Sequence, residues 1–107
     1  MVGPYLLLIQ IGAFFLMKNK REQIDEWVDQ VFPDQEILMA DGFEDAFIGV
    51  AMQFDKSIAI FDYDKCLEIL QKDGMNIVDA EEYMQFNVTG AYVGENTPAF
   101  FFKFKSE

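Results

Sequence analysis

The chain contains no histidine. That absence excludes Ser-His-Asp and Cys-His catalysis, imidazole metal ligands and a histidine pH switch. It contains one cysteine, Cys66. No intrachain disulfide can form, and a zinc site built from several cysteines is ruled out. Basic residues are also scarce. Between Glu22 and Phe102 there are 18 acids and only three lysines, Lys56, Lys65 and Lys72. Direct nucleic-acid binding is therefore not expected, because such a body repels phosphate. Low-complexity tracts and internal repeats are missing as well. What remains is carboxylate, lysine, tyrosine and backbone chemistry.

What is present is apolar and acidic. Of 107 residues, 51% are hydrophobic and twelve are Phe, enough to build one core without disulfides or a structural metal. The net charge is −11. Two readings of that charge stand side by side. It is a solvated surface that keeps an aromatic-rich protein soluble, or it attracts a basic protein surface.

Residues 1–17, MVGPYLLLIQIGAFFLM, carry no charge, and Lys18, Lys20 and Arg21 follow them. A secretory signal would need a basic start and a small-residue cleavage site. A membrane span needs about 20 apolar residues. A third reading starts the natural protein at Met17, with the preceding residues an upstream extension. The expected organisation is an apolar segment over 1–17 and a single domain over 18–107. The expected location is the cytoplasm, of a host cell if the origin is viral, with membrane tethering only if residues 1–17 are native.

Ile24, Trp27, Val28 and Val31 recur at helical spacing, and Pro33 stops that helix. Trp27 is expected to anchor the core. Residues 36–40 read as a short buried strand. Ala46–Phe54 alternates and should form a second strand, with Ala46, Ile48, Val50, Met52 and Phe54 facing the core. A polar turn at Asp55-Lys56-Ser57 leads into a third strand over Ser57–Phe61. Asp62 suits a helix cap before Tyr63–Lys72, whose stripe is Tyr63, Cys66, Leu67 and Leu70. Cys66 reads as a small core residue. Asp79 with Glu82 resembles a capping box for a helix over 80–89, with Val78 and Tyr83 as a staple. Its apolar stripe includes Asn87, either tying down a loop or facing a pocket. Gly90 to Pro98 is a glycine-punctuated loop that matches no phosphate-binding pattern. Ala99–Phe104 is the last strand, with Lys103 and Lys105 protecting its edge. The order α-β-β-β-α-α-β implies a small α+β two-layer sandwich, its sheet mostly antiparallel and its helices on one face.

The stretches DGFEDAFIGV, FDYDKCLEIL and EEYMQFNVTGAYVGENTPAF resemble a family of small proteins common in phage and environmental viral sequences. The resemblance covers roughly residues 36–102. It implies a viral or mobile-element origin and carries no activity or catalytic residues with it.

Two functions follow as expectations. One is a non-enzymatic interaction protein that binds a host protein or a small ligand in a takeover or anti-defence role, with homo-oligomers as a further arrangement. The other is a hydrolase of phosphoester or nucleotide substrates, with Mg²⁺ or Mn²⁺ held by Asp41, Asp45, Asp62 and Asp64. The candidate binding residues are Asp41, Glu44, Asp45, Asp62, Tyr63, Asp64, Asn87 and Glu95, which could converge at the ends of the central strands.

Overall fold

A computed structural model describes residues 18–106. The expectations for residues 1–17 lie outside the described residues. The chain divides into two compact units, Met1–Pro33 and Asp34–Glu107.

In the first unit, helix α1 spans Lys20–Val31. Asn19 caps it, its side chain accepting from the Glu22 N–H at 2.8 Å. The expected apolar stripe is only partly covered. Ile24 is buried and Val28 half-buried, but Trp27 is 41% exposed and Val31 50%. Trp27 packs edge-on against Phe32, with ring centroids 6.0 Å apart. The ring expected to anchor the core is thus left partly exposed.

The second unit carries the α+β fold. A 3₁₀ turn, Glu44–Ala46, leads into strand β1, Phe47–Gln53. Strand β2 spans Lys56–Asp62 and helix α2 spans Tyr63–Lys72. Helix α3, Ile77–Tyr83, continues into a π-turn over Met84–Val88. Strand β3, Ala99–Phe101, closes the order. The sheet runs β1-β2-β3. The first pair is antiparallel and the second parallel, so the sheet is mixed, with most of its pairing antiparallel. A parallel neighbour requires a long crossover, which α2, α3 and the loop after them supply.

Residues 36–40 form no strand. Ile37, Met39 and Ala40 still pack against the core. Their apolar character draws them inward, and no sheet partner gives them a ladder among the described residues.

The face expected of β1 is kept at Val50 and Met52, which oppose the buried Ala59 and Ser57, and is corrected at Ile48 by a bulge. The register shifts between Phe47 and Gly49, so Ile48 has no partner on β2. Phe47 pairs with Phe61, Val50 with Ala59 and Met52 with Ser57. Opposed residues share a face, so Phe47 points to the core and Ile48 is left 54% exposed. Met52, at the uncovered end, is 66% exposed and Phe54 98%. The hairpin turns at Phe54-Asp55, one residue before the expected turn, with Phe54 held at φ +58.

The core is Phe43, Ala46, Ala59, Phe61, Cys66, Leu67, Leu70, Ala80 and Met84. On β2, residues 57, 59 and 61 are buried in strict alternation. Helix α2 buries Cys66, Leu67 and Leu70 as its spacing dictates. It ends in a Schellman closure, with Met75 N–H donating to Leu70 O at 3.2 Å and Gly74 at φ +108. Burial, and then the Asp62 carboxylate, push the Cys66 thiol up to about 12. It is protonated at neutral pH and fills space as a small apolar group.

Helix α3 begins three residues before the expected start. Asn76 caps it, accepting from the Asp79 N–H at 2.8 Å. Asp79 therefore sits in the first turn, where a carboxylate complements the helix dipole. Of the expected stripe only Ala80 and Met84 are buried; Asn87 is exposed and Val88 half-buried. Strand β3 is shorter than expected, because its partner β2 ends at Asp62 where α2 begins. Lys103 and Lys105 lie beyond it.

Candidate functional site

A pocket of about 210 Å³ forms where the 39–43 segment, the π-turn and the 91–98 loop meet. Each wall has a local cause. Gly42, at φ +91, turns the first segment, and Phe43 N–H closes on Ala40 O at 3.1 Å. That turn sends Phe43 into the core and leaves Asp41 at the rim. The π-turn is set by Thr89 N–H donating to Met84 O at 2.6 Å, a bond five residues long. Thr89 Oγ1 donates to the same carbonyl at 3.1 Å. Such an extra residue in a helix re-aims the side chains after it. Asn87 and Val88 come to the pocket in this way. The third wall is pinned by Thr97, whose hydroxyl donates to Gly94 O and accepts from Val93 N–H at 3.0 Å. Aromatic rings of Phe43, Tyr83 and Phe100 complete the lining.

The expected site residues divide among several places. Asp41 and Asn87 share this pocket. Glu44 accepts from the Gly42 N–H at 3.3 Å and stabilises the turn beside it. Asp45 borders a separate depression with Lys65, Glu68 and Lys72. Asp62 caps α2, accepting from the Lys65 N–H at 3.2 Å. Asp64 lies in the first turn of that helix, 3.9 Å from Lys105. Tyr63 stacks on Phe102 with centroids 4.2 Å apart. Burial, then the Glu81 and Asp64 carboxylates, raise its phenol above the ordinary value. Glu95 is exposed in the 93–97 turn and does not line the pocket.

The carboxylates thus do not gather. Among the described residues, no group of three or more Cys, Asp or Glu side chains is placed to hold a metal ion. Lys65, on the first turn of α2, pairs with Glu68 at 3.1 Å. Asp62, Asp64 and Glu44 are accounted for by local backbone and helix-end geometry.

A second surface adjoins the pocket. Of Ile77–Tyr83 only Ala80 is buried. Ile77 is 44% exposed, Val78 59% and Phe86 74%, while Asp79, Glu81 and Glu82 are exposed between them. Met75, Asp79, Glu82 and Phe86 border a shallow depression there. Among the described residues, no helix is long and apolar enough to cross a membrane.

Sequence patterning named Asp41 and Asn87 but missed Phe43, Tyr83 and Phe100 as lining residues. Each reads locally as an ordinary core aromatic. No protein-family model, curated protein or solved structure matches the chain.

Proposed function

We propose that this chain is a small acidic interaction protein, non-enzymatic, that docks a basic surface of a partner protein on the outer face of α3 and the π-turn. The exposed strip of Ile77, Val78 and Phe86, interleaved with Asp79, Glu81 and Glu82, supports the reading most directly. Apolar side chains supply area that a partner can desolvate. Carboxylates around them steer a basic partner and disfavour an acidic one. The sequence resemblance supports a host protein as the partner, met by a viral or mobile-element product.

Capture from a bacterial lysate tests this with two baits, the wild-type chain and its Glu81→Lys/Glu82→Lys variant. A partner held by the wild type at low salt, released as salt rises, and bound at least about tenfold more weakly by the variant is the expected result. Retention of no partner at any salt, or equal retention by both baits, would overturn the reading. Circular dichroism of the variant establishes that it is folded.

A further inference from the structure

The pocket and the acidic strip are neighbours, because Tyr83 and Asn87 line both the pocket and the shallow depression on α3. On one side of these two residues lies the cavity of about 210 Å³, walled by Phe43, Val88, Val93 and Phe100. On the other lie Asp79, Glu82 and Phe86. A further carboxylate, Glu95, is exposed in the turn between two lining residues, Val93 and Thr97. Among the described residues, Asp79, Glu82 and Glu95 enter no ion pair. A largely apolar cavity thus opens between two acidic flanks.

We infer that the docked partner is a basic segment that seats one large apolar side chain in this cavity, with lysines or arginines on either side of it facing the carboxylates. The inference rests on the docking reading of the α3 strip and names what the partner must carry. The volume, about 210 Å³, lies below the roughly 300–1,000 Å³ of pockets that take whole drug-sized ligands, and suits a single side chain. Rings of Phe43, Tyr83 and Phe100 offer an aromatic anchor contacts beyond its buried area. Anchors seated in such pockets carry much of the energy of an interface, while the charges around them select the partner and speed its encounter. The exposed Asn87 amide, at once donor and acceptor, suits a peptide group of the incoming backbone. An acidic segment would bring like charge against Asp79, Glu82 and Glu95. A second copy of this chain, at −11, carries the same penalty. A basic segment without the anchor would leave the cavity unfilled.

Three short synthetic peptides separate these requirements: a lysine-rich one with a central phenylalanine, the same peptide with alanine in its place, and the phenylalanine peptide with every lysine changed to glutamate. Each is titrated into the full chain and followed by amide NMR shifts. The basic phenylalanine peptide is expected to bind at least about tenfold more tightly than the alanine one, with saturating shifts at Val88, Ala91 and Thr97, and the acidic peptide to give none. Ala91→Phe, at an exposed lining position, fills the cavity from its rim and should abolish that difference, with circular dichroism to establish that the variant is folded. Equal binding of the two basic peptides, with shifts confined to Asp79, Glu82 and Phe86, would overturn the anchor and leave the docking reading standing. Binding of the acidic peptide in the pocket, or no shift with any peptide, would also overturn the inference, whereas the docking reading falls only with the lysate capture. The wild-type series decides the question even where the variant fails to fold.

Discussion

Replacing Phe61 with Ala is expected to lower the unfolding free energy by about 3–5 kcal/mol. Phe61 is fully buried on the central strand. Its ring lies 5.7 Å from Phe47 and 5.9 Å from Phe100, so it joins all three strands. It also belongs to the cluster that holds Cys66, Leu67 and Met84 from the helical layer. Truncation removes the aromatic contacts and leaves a cavity that strands and helices cannot close together. In a domain of this size such a loss corresponds to a fall in Tm of more than about 10 °C. Phe104→Ala is the contrast. Phe104 is 86% exposed, and its loss should change stability by less than about 0.5 kcal/mol. Urea unfolding of both variants measures the difference. A Phe61→Ala cost below about 1 kcal/mol would contradict the packing described.

Gly90→Ala is expected to destabilise the protein by about 1–3 kcal/mol through overpacking. A Cβ at Gly90 would lie 2.3 Å from the backbone oxygen of Gln85. A carbonyl inside the π-turn cannot swing aside as a flexible side chain would. The turn must open instead, and its Thr89 to Met84 bond is the contact most exposed to that opening. Because the same turn carries Asn87 and Val88 to the pocket, their amide signals should move with the loss of stability. Urea unfolding with amide NMR checks both. An unchanged midpoint and unchanged Asn87 and Val88 signals would show that the turn tolerates a methyl group.

These two positions also show where the fold was readable and where it was not. Helix α2 was legible because Asp62, Cys66, Leu67 and Leu70 are a cap and an unbroken helical stripe, and both signals are local. The hairpin itself was legible from β1 and β2 alternation. Its register was not, since the bulge that expels Ile48 leaves only Gly49 as a mark, and a single glycine is equally a small strand residue. The start of α3 was misplaced because Asn76 and Asp79, three residues apart, are both good capping residues. The Asp79–Glu82 spacing fits a capping box even though Asn76 makes the bond. Residues 36–40 have a strand's apolarity, and whether such a run joins a ladder depends on a partner that its own sequence does not encode. For the site, Asp41 was legible as part of an acidic turn, and Asn87 as a polar residue in an apolar stripe. Their meeting with Phe43 and Phe100 depends on packing between segments far apart in the chain, which no short-range pattern reports.

Among the described residues the carboxylates serve as dispersed charge, helix caps and turn contacts, and no three of them are placed to hold a metal ion. Titration of the full chain with Mg²⁺ and Mn²⁺, followed through amide NMR signals, is the decisive test. Non-saturating effects up to millimolar cation, spread over many acidic residues, are expected. Saturating effects concentrated at Asp41, Asp45, Asp62 and Asp64 would contradict this, and would show that these residues assemble around a cation after all.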